Sequence, residues 1–339
     1  MIRTAILGAS GYVGAELLRL LERHPALVPT RLFGDSKAGQ KLGSVHPQIG
    51  GAVAALEVER FGPEALDGID LVFAALPHGE SQKIAAGILD RGCRLVDLGA
   101  DFRLRDAADY ARWYGEEHQA PALLDRFVFG IPELHRDAIR GAQAVAAAGC
   151  YPTSAILACK PLIDAGLIDP ASLIVDAASG VSGAGRAVKE GTAFNTVDGS
   201  YSAYGLLTHR HTAEMEQELG ATVLFTPHLA PMTRGILATC YAAAAAGEMD
   251  GDEPLRVLRQ AYADEPFVRV SDEPPSTKWV AGSNGAVVTA RYDPRTRRVV
   301  ALGAIDNLGK GAAGQMIQCA NLMFGLDESS GLAASGVFP

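Results

Sequence analysis

The chain has 339 residues, 48% of them hydrophobic and 20% charged, with a formal net charge of −9. That length accommodates two domains with separate cores. An acidic balance without long runs of either sign argues against nucleic acid and against an acidic membrane surface as partners. No apolar run reaches the length of a membrane span.

Five cysteines, Cys93, Cys150, Cys159, Cys240 and Cys319, are scattered and contain no C-x-x-C pair. A disulfide framework and a zinc site are both poor fits, so no metal is expected. The expected setting is a reducing cytoplasm. Met1-Ile2-Arg3-Thr4 leads straight into a strand, which leaves no room for a signal or transit peptide.

Residues 4–7 form a short apolar strand. It runs into Gly8-Ala9-Ser10-Gly11-Tyr12-Val13-Gly14 and then into a helix over 15–23 carrying Leu17, Leu18, Leu20 and Leu21. Strand, glycine turn, helix is the context a dinucleotide fingerprint requires. The spacing is G-x-x-G-x-x-G, with Ser10 where a middle glycine usually falls. Gly8, Ser10, Gly11, Tyr12 and Val13 are therefore candidate cofactor contacts, with the helix start as the seat for a pyrophosphate. A second strand, residues 30–33, ends in Gly34-Asp35-Ser36-Lys37. An NAD enzyme usually has an acidic side chain there. Ser36 and Lys37 add a hydroxyl and a cation suited to a 2′-phosphate, so the reading is NADP(H).

Further strands are predicted over 70–76, 94–98 and 142–148, with a helix over 81–89. This alternation gives a parallel, doubly wound α/β sheet through residue 148. His78, Asp101 and Arg103 fall at the carboxyl ends of strands, where ligands collect in this architecture.

The strand over 142–148 leads into Gly149-Cys150-Tyr151-Pro152-Thr153 and a helical segment over 153–160. Pro152 suits a first helical turn. Cys150 then faces the positive end of a helix, where a thiol is a better nucleophile. Beyond it, strands are expected over 172–178, 222–225, 236–244, 286–292 and 298–305, with helices over 212–219 and 254–262. Residues 179–186 and 226–234 read as loops. The alanine tract 242–246 is a strand end. Asp306 to Gln315 opens a final helix through Phe324. Consecutive strands with hairpin-like turns mark a second domain of α+β type with a mixed sheet.

A nicotinamide cofactor and a helix-terminal thiol together suggest thiol-assisted hydride transfer: attack on an acyl group, a thioester on Cys150, and reduction to an aldehyde. His209 or His211 can act as acid or base. Arg103, Arg186, Arg210 and Arg234 are candidate cations for an anionic substrate.

The segments 8–14, 100–104, 149–153, 179–186, 209–214, 226–234 and 307–315 together resemble the N-acetyl-γ-glutamyl-phosphate reductases, arginine-biosynthesis members of the semialdehyde dehydrogenase group. The Gly-Cys-Tyr-Pro-Thr and His-Arg-His-Thr stretches are the most specific. The resemblance implies NADPH-dependent reduction of a small acyl phosphate to the semialdehyde with release of phosphate. It gives Cys150 as nucleophile and His209 as acid/base. It further implies Arg103, Ser179, Arg186, His211 and Glu214 around the substrate, and Gly180 and Asn307 among the cofactor contacts. A homodimer or homotetramer formed through the second domain follows from the same likeness. So does the domain division: 1–148 with a returning C-terminal segment, about 308–339, binds the cofactor, and 149–307 carries catalysis and oligomerisation.

Ala147 and Ala148 stand where the family usually has Asn-Pro. The nearest alternatives are the reductase of a carrier-protein-linked aminoadipyl phosphate in lysine synthesis and aspartate-semialdehyde dehydrogenase. A regulatory protein that senses NADP without chemistry would explain the glycine turn, but not Cys150 together with His209 and His211.

Overall fold

The computed structural model describes residues 1–187, 189–245 and 249–338. Ala246, at the end of the alanine tract, and Pro339, at the end of the returning segment, lie outside them. The chain forms two compact units, residues 1–148 with 312–332, and residues 149–311 with those from 333 onward.

The first unit is built on seven strands: β1 (Ile2–Leu7), β2 (Leu27–Phe33), β3 (Val58–Glu59), β4 (Leu71–Ala74), β5 (Arg94–Asp97), β6 (Phe127–Gly130) and β7 (Ala144–Ala147). They lie in the order β3-β2-β1-β4-β5-β7-β6, and every neighbouring pair is parallel. Val58–Glu59 and Phe127–Gly130 escape the sequence reading because one is two residues long and the other is a brief aromatic run beside Pro121 and Pro132. The central strands are apolar on both faces because helices cover both. Leu71, Val72, Phe73 and Ala74 are all buried. Leu17, Leu18 and Leu21 of helix Tyr12–Leu21 share one core with Ile6, Phe73 and Val145. Met316, Ile317 and Ala320 of helix Gly314–Met323 belong to the same core. Each fully buried side chain of this size contributes about 1.5–3 kcal/mol of hydrophobic stabilisation.

The second unit holds a mixed sheet in the order β12-β13-β14-β11-β8-β10-β9. Its strands are β8 (Leu173–Gly180), β9 (Ser202–Ala203), β10 (Val223–Ala230), β11 (Ile236–Ala243), β12 (Val268–Val270), β13 (Ala286–Asp293) and β14 (Arg298–Ile305). Two expected loops begin as strand. β8 and β10 pair in parallel from Leu173↔Val223 through Gly180↔Ala230, so Ser179, Gly180 and residues 226–230 belong to the sheet. Pro227 hides this from the sequence, because a proline demotes a strand prediction.

Helix Cys150–Asp164 packs on this sheet with its start close to β14. Ser154 donates to the Gly303 carbonyl at 2.8 Å, and a Cβ at Gly303 would lie 2.5 Å from the Ser154 carbonyl oxygen. Pro161, inside the helix, has no N–H to offer the Leu157 carbonyl. Tyr262 takes that place, its hydroxyl donating at 2.7 Å. Among the described residues no helix is long and apolar enough to cross a membrane.

Candidate active site

The glycine turn after β1 is a backbone device. Gly8 has φ +81, and a Cβ there would sit 2.3 Å from the Ala75 carbonyl oxygen. A Cβ at Gly14 would meet Gly8 oxygen at 2.5 Å and Ala9 Cα at 2.7 Å. Those two glycines are demanded by the protein's own packing. Gly11 is different: its Cβ would meet only Gly8 oxygen, at an ordinary 3.4 Å. Room left beside the cap of a helix that has no side-chain cap fits a pyrophosphate on the Tyr12 and Val13 amides. His46, buried and unforeseen, braces the turn through Nε2 at 3.0 Å from the Ala9 oxygen. Ser10 faces the end of β2, where a Cβ at Gly34 would come within 3.1 Å of its Oγ. Asp35, Ser36 and Lys37 form a single 3₁₀ turn there, with Ser36 exposed and Lys37 half-buried.

At the ends of β4 and β5 the structure gathers His78, Asp101 and Arg103. Asp101 is fully buried. It accepts the Gly79 and Gln82 amides at 2.7 and 3.1 Å, and its Oδ1 lies 2.5 Å from His78 Nδ1. Burial would raise the Asp101 pKa, but the bonds from His78 and Gly79 outweigh it and hold the carboxyl below its ordinary value. The Arg103 guanidinium is buried and donates to the Leu98 carbonyl at 2.6 Å. Asp97, not singled out by the sequence, is buried at the end of β5, and burial pushes its pKa up to about 6.

In the second unit, the helix begins at Cys150 itself, with Gly149 as its cap. Of the five cysteines only Cys150 is not buried. The Gly149 amide donates to Glu214 Oε2 at 2.8 Å, and Glu214 is completely buried on helix His211–Leu219. The other carboxylate oxygen of Glu214 lies 3.9 Å from His211 Nε2. One acidic side chain thus links the Cys150 turn to a histidine.

His209 sits in an aromatic nest, 5.8 Å from the Tyr151 ring, 5.6 Å from Tyr204, 5.3 Å from Phe225 and 4.7 Å from His211. Burial, with Arg210 alongside, lowers its pKa to about 4. The pKa near working pH that an acid/base role demands is not what this environment gives. Its Nδ1 accepts the His211 amide at 3.2 Å, which leaves the proton of the neutral ring on Nε2. Tyr204, also missed by the sequence, donates to the Tyr151 hydroxyl at 3.1 Å, which donates to the His228 carbonyl at 3.0 Å. The Tyr204 hydroxyl is withdrawn from water although the residue as a whole is 40% exposed, and this pushes its pKa up to about 12.

Ser179 and Gly180 end β8. A Cβ at Gly180 would lie 2.7 Å from Arg234 N, so its bareness serves the close crossing of residues 231–235. Both ends of the Asn307 amide are engaged inside the unit: Oδ1 accepts Gly235 N at 2.8 Å, and Nδ2 donates to Ser182 Oγ at 2.9 Å. Arg186 is exposed just beyond the 3₁₀ turn Val181–Ala184, past Gly185 at φ +83. Among the described residues no cluster of three or more His, Cys, Asp or Glu side chains is placed to hold a metal ion.

Comparison with known proteins bears on the whole chain. Residues 3–142 match the semialdehyde dehydrogenase NAD binding domain, and residues 150–307 match the semialdehyde dehydrogenase dimerisation domain. The N-acetyl-gamma-glutamyl-phosphate reductase of Symbiobacterium thermophilum is 49% identical over 100% of this chain and 99% of its own length. That of Desulforudis audaxviator is 48% identical, covering 100% of both. Among solved structures, aspartate semialdehyde dehydrogenase II of Vibrio cholerae, complexed with ASA, superposes with a TM-score of 0.72 at 17% identity, covering 96% of this chain and 98% of that one. At that identity the likeness establishes the fold alone.

Proposed function

Because the chain belongs to the semialdehyde dehydrogenase family, and within it to the N-acetyl-γ-glutamyl-phosphate reductases, we propose that it reduces N-acetyl-γ-glutamyl phosphate to N-acetylglutamate semialdehyde, releasing phosphate. The observation that carries the chemistry is a single reachable thiol at the first residue of a helix, whose cap amide is held by a buried carboxylate and whose next residue, Tyr151, packs against two histidines.

The residues act in sequence. The helix N-terminus favours the Cys150 thiolate, which attacks the acyl carbon and expels phosphate, leaving a thioester on the sulfur. When bound, NADPH supplies a hydride to that carbon. The resulting thiohemiacetal on Cys150 collapses to the aldehyde and restores the thiolate. His209, neutral with its proton on Nε2, donates a hydrogen bond to the developing oxyanion. The thiol proton goes to His211, whose Nε2 faces the buried Glu214 carboxylate. This divides between two histidines the acid/base role that the resemblance gives to His209. Its support is the His209 ring nitrogen already occupied by an amide.

For the cofactor, Gly11 leaves the space and the Tyr12 and Val13 amides give the donors, while Ser10 lies toward the ribose side. Ser36 and Lys37 meet the 2′-phosphate. Arg103 and Arg186 take the anionic ends of the substrate, and Ser179 lines its path. Gly180 and Asn307 act on cofactor binding by shaping the loops around it.

The second unit supplies the oligomer contact. Ile174, Leu224 and Tyr241 stand exposed on the sheet face opposite helix Cys150–Asp164, in register across β10, β8 and β11. An apolar sheet face of this kind is covered by a second copy, giving a homodimer or a tetramer of two such pairs. The setting is the cytoplasm.

The test is phosphate-dependent NADP reduction with N-acetylglutamate semialdehyde, run beside aspartate semialdehyde. Preference for the acetylated substrate by at least tenfold is expected, on the scale of one well-made polar contact. Equal or reversed preference overturns the substrate assignment.

A further inference from the structure

The second unit contains a buried carboxylate that no step above uses. Asp306, fully buried at the end of β14, accepts Gly282 N at 2.5 Å, Leu308 N at 2.8 Å and Gly309 N at 3.0 Å. Arg234 Nε lies 3.2 and 3.1 Å from its two oxygens. Its main-chain oxygen also accepts Gly311 N at 2.9 Å, closing the wide π-helical turn 309–313. Turns of that width are uncommon and gather at functional sites. This one lies against the nucleophile: a Cβ at Gly311 would stand 2.8 Å from Cys150 Cβ and 3.2 Å from Ile305 Cδ1. Gly309 is equally hemmed in, with a Cβ there 2.0 Å from the Ser283 carbonyl oxygen.

The adjacent residue extends the same tie. Asn307 bonds Gly235, next to Arg234, and Ser182, beyond Gly180. Residues 306 and 307 therefore bind four things: the turn that touches Cys150, the segment carrying Arg234, the Gly282 amide, and the stretch just beyond β8.

We infer that Asp306 is a positioning residue that fixes the Cys150 turn and the Arg234 guanidinium as one body, with Arg234 the anion-binding group of the reaction. The inference rests on the reductase reading for the identity of the anion, the phosphate or carboxylate of the acyl phosphate. Its geometric part does not depend on that reading. A guanidinium held at Nε by a carboxylate keeps its fork oriented and presents its outer N–H groups in a fixed plane, as a bidentate anion site needs. The Arg234 side chain is about a quarter exposed, with Nη2 itself buried, while Asp306 is not exposed at all, so of the pair only the arginine has surface that a solute can reach. A structural ion pair alone would not require the same carboxylate to clamp the turn packed on the nucleophile.

The experiment is a double-mutant cycle with Asp306→Asn and Arg234→Gln. It is read by kcat and KM, by thermal stability, and by the rate of iodoacetamide alkylation of Cys150. Each single variant should lower kcat/KM for the acyl phosphate by about ten- to a hundredfold, the scale of one charge-assisted contact. The double variant should lose no more than the worse single, because the two act as a unit. Arg234→Gln should raise KM, and Asp306→Asn should both raise KM and slow Cys150 alkylation. Arg234→Lys should recover less than half of the lost kcat/KM, lacking the fork.

Additive losses in the cycle, or a normal KM in Arg234→Gln, overturn the inference. If Asp306→Asn fails to fold, Gly311→Ala and Arg234→Gln carry the test. Gly311→Ala should change the alkylation rate with KM nearly unmoved, and an unchanged alkylation rate would again overturn it. Should the unmodified protein fail to reduce the acyl phosphate, the reductase reading falls. The alkylation measurements still decide whether Asp306 and Gly311 set the nucleophile.

Discussion

The glycine turn after β1 and the thiol pocket of the second unit are made of different material. The turn is built from backbone within seven consecutive residues, Gly8 to Gly14. Two of its glycines are required by internal contacts under 3 Å, while the third leaves room for a ligand. The pocket is built from side chains that approach from residues 150, 209, 211 and 214, and its polar members are buried or half-buried. The lesson concerns what tolerates change. A backbone site survives most side-chain replacements except those that add a Cβ. A side-chain site is lost one functional group at a time.

Substitutions can break or sharpen that contrast. The largest effect is expected at Cys150. Cys150→Ser should leave less than a few per cent of turnover, within the losses of about 10³-fold or more that follow removal of a nucleophile. NADPH titration by fluorescence should be nearly unchanged. A variant retaining a tenth of the activity would show that the pocket does not work through its sulfur. Cys159→Ser, at a buried thiol in the same helix, should be mild.

Next comes Lys37. If it meets the 2′-phosphate, Lys37→Ala weakens NADPH by about ten- to a hundredfold and leaves NADH unchanged. Equal losses for both would remove Lys37 from the cofactor site. A smaller effect is expected at Gly11, where an added methyl meets only ordinary contact inside the protein. Gly11→Ala should keep the melting temperature and weaken NADPH about tenfold, whereas Gly8→Ala should cost stability first. A fall in melting temperature as large for Gly11→Ala as for Gly8→Ala would erase the distinction drawn between the two.

A pH dependence of stability tests the pocket from another side. His209 is lowered from 6.5 to about 4, chiefly by burial. Between those values the unfolded chain binds a proton that the folded imidazole refuses, so stability is full above pH 6.5 and falls as the pH drops toward 4. The loss from this group is at most about 3 kcal/mol. His209→Asn should flatten that part of the melting-temperature profile between pH 7.5 and 5. His24 and His118, lowered in the same direction by burial, will remain. Parallel profiles for the two proteins would mean that the folded imidazole takes up its proton as readily as the unfolded one.

The two regions also differ in how much of them the sequence revealed. The turn was legible because its device is a spacing of glycines between an apolar strand and an apolar helix. Cys150 was legible for a similar reason, standing between a buried strand and Pro152. The contacts that give the pocket its character were not. Nothing in the order of residues places Glu214 on the Gly149 amide or Tyr204 on Tyr151, because those contacts come from packing helix His211–Leu219 and the residue after β9 against the start of helix Cys150–Asp164. Asp306 sits next to Asn307 in a stretch already noted, yet its clamp involves Gly282 and Arg234, far away in the chain. The strand that carries residues 226–230 was hidden by Pro227, which tolerates the ladder because β10 has only the two-residue β9 on its outer side.

The central claim, that the chemistry passes through a thioester on Cys150, can be tested by peptide mass spectrometry. Protein is mixed with N-acetyl-γ-glutamyl phosphate without NADPH, quenched in acid and digested. The account predicts one added N-acetylglutamyl group on the peptide containing Cys150. It should be discharged by NADPH or hydroxylamine and absent from Cys150→Ser. Turnover by the unmodified protein with no adduct on Cys150, or an adduct on another residue that NADPH discharges equally fast, would contradict it.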